Sequence, residues 1–320
     1  MLSLALSLAL LGEPAATGPA TAPAPAAVAA PAIVTRPAQL PFSTEFDLAS
    51  KITGRTYRIY VATPPAPPPE GGYPVIYLLD GAAAFPIAAS QALTRAIGGG
   101  KPALIVGVSY PSAIASMVLR NRDLTPSQPS EWTLKINDWK ADPAKFGGGD
   151  GFHRFMMEEL RPAIASMNKV DPGDQSLIGY SLGGLFALHV LFNHPDAYRT
   201  FVAGSPSIWW NQREVLREEP AFAAAVRSGT THPRVLITSD AWEQGTEGLD
   251  LPADAAQRAK LAEGVKAARM VDNAHELAER LKALPGPVGY EVRYALFVDE
   301  SHNTGMPASV TRGVTFVLTR

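Results

Sequence analysis

Ser176-Leu177-Ile178-Gly179-Tyr180-Ser181-Leu182-Gly183-Gly184 decides how the rest of the chain is read. Ser176 to Ile178 end a short apolar run, and Leu182 to Leu191 open what reads as an amphipathic one. Between them sits Gly-x-Ser-x-Gly followed by another glycine. A strand that turns abruptly into a helix leaves its turn residue in a strained backbone conformation, with the side chain pushed clear of the sheet. Gly179 and Gly183 flank Ser181 where side chains would collide in so tight a turn. Gly184 lets the helix lie close to the sheet. Ser181 then reads as an exposed nucleophile, with the amide of Leu182 at the helix start aimed at a developing oxyanion. Such a short pattern also arises by chance in glycine-rich chains; the apolar strand before it and the helix after it favour the nucleophile.

Outward from this turn, buried strands alternate with helices. Val75 to Leu79, Ala103 to Val108, Thr200 to Ala203 and Val235 to Thr238 are continuously apolar, as strands covered on both faces are. Glu291 to Val298 is the final strand. Phe42 to Leu48 and Thr56 to Val61 alternate apolar with polar residues and read as antiparallel edge strands. Helices are expected at Phe85 to Ile97, at Gly151 to Met167 with a kink at Pro162, over Leu251 to Leu284 as a long amphipathic cover for the sheet, and from Pro307 to the end. From 111 to 150 no periodicity is evident, and prolines and Gly147-Gly148-Gly149 punctuate an irregular loop. The sum is one α/β domain over 39–320, with a mostly parallel central sheet of about eight strands and helices on both faces.

Several motifs together resemble the esterase-D-like branch of the α/β-hydrolases, and within it the periplasmic esterases that open siderophore trilactones. They are Ile76-Tyr77-Leu78-Leu79-Asp80-Gly81, Arg120-Asn121-Arg122-Asp123-Leu124-Thr125-Pro126, the Ser181 turn, Ala203-Gly204-Ser205-Pro206-Ser207-Ile208-Trp209-Trp210 and Glu300-Ser301-His302. The resemblance runs from about Phe42 to the C-terminus. It implies an α/β-hydrolase fold and, as second oxyanion donor, the backbone amide of Ala82.

A serine hydroxyl is a weak nucleophile until a base takes its proton, and imidazole titrates near working pH. Of six histidines, only His302 lies on the loop after the last strand, where this fold carries its base. His153, His189 and His194 read as structural. The acid that orients the imidazole belongs after the penultimate strand, where Glu243 and Asp240 compete. Glu243-Gln244 matches a Glu-Gln of relatives and is preferred by that resemblance; Asp240 sits closer to the strand end, and some trilactone esterases work with no third member. Arg120 and Arg122 lie where an arginine either receives an anionic group of substrate or, with Arg122 and Asp123 taking part in structural pairing, pins the loop. Trp209 and Trp210 wall a pocket or fill the core, and Trp132 and Trp139 are open to the same two roles.

The expected reaction is acyl transfer to Ser181 followed by hydrolysis, calling for no metal or organic cofactor. The expected partner is a small-molecule ester, with siderophore esters the specific expectation. Feruloyl, acetyl, polyester or xenobiotic esters are the alternatives, then an acyltransferase or a non-catalytic binding protein. The chain of 320 residues carries a formal charge of −2, which gives no electrostatic case for nucleic acid or an anionic membrane surface. It has no cysteine, so thiol nucleophiles, disulfides and Cys-based metal sites are excluded. Leu2 to Leu11 is apolar but too short to span a bilayer, and an Ala/Pro/Thr-rich stretch follows. Residues 1–38 thus read as a signal peptide and leader, although no Lys or Arg precedes the apolar run. The expectation is a periplasmic or secreted protein with no stable membrane insertion after signal removal. Nothing in the sequence sets the oligomeric state.

Overall fold

The computed structural model describes residues 34–136 and 142–319. The N-terminal segment expected to direct export therefore lies almost wholly outside the described residues, as does Trp139. Gln39 to Arg320 form one compact unit.

Its centre is an eight-stranded sheet: β1 (Ser43–Ala49), β2 (Thr56–Ala62), β3 (Tyr73–Leu78), β4 (Leu104–Ser109), β5 (Val170–Tyr180), β6 (Thr200–Gly204), β7 (Arg234–Asp240) and β8 (Glu291–Phe297). The order is β1-β2-β4-β3-β5-β6-β7-β8. β2 runs antiparallel to both β1 and β4, and every pairing from β4 to β8 is parallel. This is the α/β-hydrolase fold. Side chains of a strand alternate between faces, so Val75 and Tyr77 of β3 and Leu177 of β5 join one core, while Ile76, Leu78 and Ile178 join the other. Burial on both faces is why these strands read as unbroken apolar runs.

The helices are α1 (Gly81–Ile97), α2 (Ala113–Asp123), α3 (Glu131–Ile136), α4 (Gly149–Phe155), α5 (Arg161–Met167), α6 (Leu182–Asn193), α7 (Glu219–Arg227), α8 (Ala255–Ala268), α9 (Met270–Lys282) and α10 (Met306–Leu318). Phe85, Ala88 and Ala92 of α1 share a core with Val310 and Val314 of α10. On the opposite face lie Phe152 and Phe155 of α4, Leu185 of α6, Phe222 of α7 and Leu277 of α9.

Three expectations are corrected. The stretch 111–150 is not irregular throughout: it holds α2, α3 and a single 3₁₀ turn at Pro143–Lys145. Its order comes from polar pins that periodicity does not register. Asp123 is fully buried and accepts from Tyr57 and Tyr110, each at 3.0 Å, with Arg55 3.4 Å away. Burial raises its pKa against the pull of Arg55 and the two hydroxyls. Helix α6 is not amphipathic: Leu182 through Phe192 are all buried, because neighbours cover it on every side. The long helix expected over 251–284 is two helices, broken at Arg269 with φ 46°. Only α9 covers the sheet; α8 has no buried residue. The helical stretch expected over 151–167 passes from α4 to α5 through a π-turn over Met156–Leu160, in which the Arg161 amide reaches back to Met156 oxygen just before Pro162. The wider turn shifts the hydrogen-bond register just where proline lacks a donor.

No helix of the described residues is long and apolar enough to cross a membrane.

Candidate active site

The carboxyl ends of the parallel strands carry every residue that follows, as open α/β sheets arrange their sites. β5 ends at Tyr180 and α6 starts at Leu182, so Ser181 alone makes the turn, at φ 60° and ψ −119°. The turn is this tight because Gly179 lies against the Gly183 backbone: a Cβ on Gly179 would fall 2.1 Å from Gly183 oxygen. A Cβ on Gly183 would find only ordinary contacts of 3.4 Å and more, so of the two flanking glycines it is Gly179 that the collision forbids replacing. At Gly184 a Cβ would come 2.7 Å from Gly204 oxygen, the closeness of helix to sheet expected of that residue.

Ser181 Oγ lies 2.8 Å from His302 Nε2, and His302 Nδ1 lies 2.5 Å from Glu243 Oε1. The consistent proton arrangement has Ser181 donating to Nε2 and Nδ1–H donating to Glu243. Glu243 is 5% exposed, and its Oε2 accepts the Asp240 amide at 2.9 Å. Asp240 does not reach the imidazole. It ends β7 fully buried and receives Tyr180 Oη at 2.5 Å and Ser205 Oγ at 2.8 Å. Burial raises its pKa, and the neighbouring Glu243 charge adds to the rise, against the two hydroxyls. Burial, with Asp240 next in effect, drives the Tyr180 hydroxyl far above the ordinary phenol range, so it remains a donor.

Leu182 is the first residue of α6 and Ala82 the second of α1. Amides in a helix's first turn lack an intrahelical acceptor and face whatever lies beyond it. The turn into α1 is made by Asp80 at φ 52°. Arg120 grips both oxygens of Asp80, at 2.7 and 2.8 Å. Burial disfavours the Arg120 cation, but this carboxylate holds its pKa above the ordinary guanidinium value. The guanidinium expected to receive a substrate anion is thus already filled by a side chain of the same protein. Arg122 donates to Ala144 oxygen at 2.9 Å, pinning the loop, and its charge also pulls down on the pKa of buried Asp123.

Trp210 is fully buried, with its ring centroid 5.5 Å from that of Phe146 and its indole N–H 3.3 Å from Ser127 Oγ. Of the two roles open to it, it fills the core. Trp209 is 9% exposed beside it. Three further residues at the site lie in motifs quoted above, but the sequence assigns them no role. Ser207 Oγ lies 3.4 Å from Ser181 Oγ. Ser205, at φ 35°, and Tyr180 hold Asp240. Ser205 and Ser207 sit in a motif quoted above, but nothing in the one-dimensional pattern says that β6 ends beside β5 and β7.

Among the described residues, Asp240, Glu243 and His302 offer ligand atoms within 4.8 Å of one another. Both imidazole nitrogens and three of the four carboxylate oxygens already have partners within the protein, so the donor set does not form an open cation cage.

A family model described as “Putative esterase” matches residues 50–282. The ferri-bacillibactin esterase BesA of Bacillus subtilis strain 168 is 34% identical over 280 residues, spanning 85% of this chain and 88% of that protein. A siderophore triacetylfusarinine C esterase of Aspergillus fumigatus is 33% identical over 298 residues, 86% of this chain and 93% of that one. Among solved structures, the BES protein from Bacillus cereus superposes with a TM-score of 0.75 at 31% identity, covering 90% of this chain and all of that one.

Proposed function

The chain belongs to that esterase family, and from this premise we propose that it is a serine carboxylic-ester hydrolase, working through an acyl-enzyme on ester-linked siderophores. The observation that carries the mechanism is the unbroken line from Ser181 Oγ through His302 to Glu243, at 2.8 and 2.5 Å. The substrate class rests on the names of the relatives, which are siderophore esterases of a bacterium and a fungus.

In this reading Ser181 Oγ attacks the ester carbonyl as its proton passes to His302 Nε2. Glu243 holds the imidazole in the required tautomer and offsets the charge it gains. The amides of Leu182 and Ala82 receive the tetrahedral oxyanion. His302 then returns the proton to the departing alcohol oxygen and the acyl-enzyme forms. Water, deprotonated by His302, repeats the sequence and frees Ser181. We further assign 39–320 as the catalytic domain and 1–38 as export segment and leader, which places the mature enzyme in the periplasm or medium.

Two measurements test the two halves of the claim. A fluorophosphonate probe is expected to label the wild type and leave Ser181→Ala unlabelled; labelling of both removes Ser181 as nucleophile. Turnover of a ferric trilactone siderophore is expected to exceed that of p-nitrophenyl acetate in kcat/KM, and a flat preference for short simple esters rejects the substrate class. Cell fractionation with an epitope tag checks the compartment.

A further inference from the structure

Asp240 is the buried acid that the relay leaves unused, and its surroundings hold more acceptors than donors. Oδ2 is within reach of Tyr180 Oη and Ser205 Oγ, while Oδ1 is buried with no hydrogen-bond partner. Oδ1 packs against Gly305 so closely that a Cβ there would fall 2.0 Å away. Tyr180 Oη has one proton and two acceptors: Asp240 Oδ2 at 2.5 Å and the His302 carbonyl oxygen at 2.9 Å. An ionised Asp240 claims that proton, strips the His302 carbonyl of its donor and leaves anionic charge at Oδ1 unsolvated, a costly arrangement. A proton on Oδ2 frees the Tyr180 hydroxyl for the His302 carbonyl and leaves Oδ1 a neutral carbonyl oxygen, still without a donor but no longer carrying buried charge. Oδ2–H donates to Tyr180 Oη, Tyr180 Oη–H donates to the His302 carbonyl, and Ser205 donates to the remaining lone pair of Oδ2.

The titratable groups facing Asp240 are Tyr180 at the end of β5, Glu243 after β7, Tyr294 of β8 and His302 after it. The imidazole, the one cation-forming group of these four, is committed to Glu243. Burial and the Glu243 charge both favour the neutral acid.

We propose that Asp240 is kept as a neutral carboxylic acid and acts as a positioning residue, seating the His302 backbone through the Tyr180 hydroxyl. Tyr180 touches His302 twice, through this bond and through its ring, whose centroid lies 5.1 Å from the imidazole. The chain of contacts therefore runs from the end of β7 to the base without touching the reacting atoms. The catalytic part of the proposal rests on the reading of Ser181, His302 and Glu243 as a relay; the protonation state does not.

Asp240→Asn separates this from an ionised role. The new amide donates to Tyr180 Oη where the acid did, and Ser205 turns its hydroxyl to accept the second amide hydrogen. The expected result is kcat/KM within about threefold of wild type, against about a tenfold or greater loss in kcat with little change in KM for Asp240→Ala and Tyr180→Phe. On the alkaline side, wild-type kcat/KM falls as Asp240 ionises, and Asp240→Asn loses that fall. Infrared difference spectra of the intact protein at neutral pH are expected to show a protonated-carboxyl C=O stretch that Asp240→Asn lacks. Absence of that band in the wild type, or an Asp240→Asn defect as deep as that of Asp240→Ala with the fold intact by circular dichroism, overturns the proposal. If Ser181→Ala retained turnover, the reading of Ser181 as nucleophile would fail while the infrared band still decided the state of Asp240.

Discussion

Glu243 and Asp240 both follow from the end of β7, yet only Glu243 meets the imidazole. In the proposed mechanism, replacing its carboxylate by an amide keeps the volume but removes the charge that stabilises the imidazolium and fixes its tautomer. Glu243→Gln is expected to lower kcat by about 10²–10⁴-fold with KM nearly unchanged, measured by steady-state hydrolysis of an aryl ester. Arg120 gives a second expectation at this scale. Its side chain is 23% exposed and that of Asp80 15%, so the pair is partly screened. Arg120→Met strands the Asp80 carboxylate and is expected to cost about 1–3 kcal/mol in urea unfolding. Arg120→Met with Asp80→Asn removes both charges and should recover part of that loss. Because Asp80 also makes the turn that presents the Ala82 amide, the single variant should lose kcat as well.

At the scale of elements, the approach of α6 to β6 at Gly184 has an opposite case in α4. A methyl on Gly184 meets Gly204 oxygen and Pro206 Cα inside 3.0 Å, backbone atoms that cannot step aside. Gly184→Ala is expected to destabilise by about 1–3 kcal/mol. Gly151 in α4 has open space around its missing Cβ, so Gly151→Ala should stabilise by about 0.5–1 kcal/mol through helix propensity alone. Chemical denaturation of both variants checks the opposed signs. The same contrast explains what the sequence disclosed. Strands buried on both faces, and the glycines around Ser181, announce themselves because burial and crowding restrict which residues fit. Helix α2 is not legible in the sequence because what fixes it is Asp123 meeting Tyr57 and Tyr110, and Arg120 meeting Asp80, across separations of 13 to 66 residues. The choice between Glu243 and Asp240 was open for a similar reason. A turn after β7 carries one of them to the imidazole and folds the other under Tyr180, and residue type alone does not say which.

Across the whole molecule, the response to acid is expected to centre on His153. Burial first, then the nearby His194 and Arg161, lower its pKa from the ordinary 6.5 to about 4, and its Nε2 is buried without a hydrogen-bond partner. The folded protein therefore binds this proton more weakly than the unfolded chain. The stability it contributes is complete above about pH 6.5 and fades as pH falls toward 4. His189 works in the opposite sense: burial lowers its pKa, but Glu218 and Asp150 outweigh burial and raise it. Its contribution is complete below pH 6.5 and lost as pH rises through the raised value. Subtracting a His153→Gln variant isolates the first effect. The wild-type advantage in urea midpoint is expected to shrink between pH 7 and 4, by up to roughly 3 kcal/mol in unfolding free energy. An unchanged difference across that range would show that His153 is not the acid-sensitive group.

Four of the nine non-glycine residues with positive φ among the described residues lie where β3, β5, β6 and β8 meet their loops: Asp80, Ser181, Ser205 and Asp299, with φ of 52°, 60°, 35° and 61°. Each such residue holds about 1–3 kcal/mol that relaxation would release. A mutant library screened for heat tolerance alone has cheap gains waiting at this rim, since glycine there removes the penalty. Asp299, exposed and outside the relay, can be taken at little cost. Glycine at 80 or 205 would sever a tether of the reaction centre. Survivors of such a screen should therefore divide by position into hardy enzymes and hardy, sluggish ones.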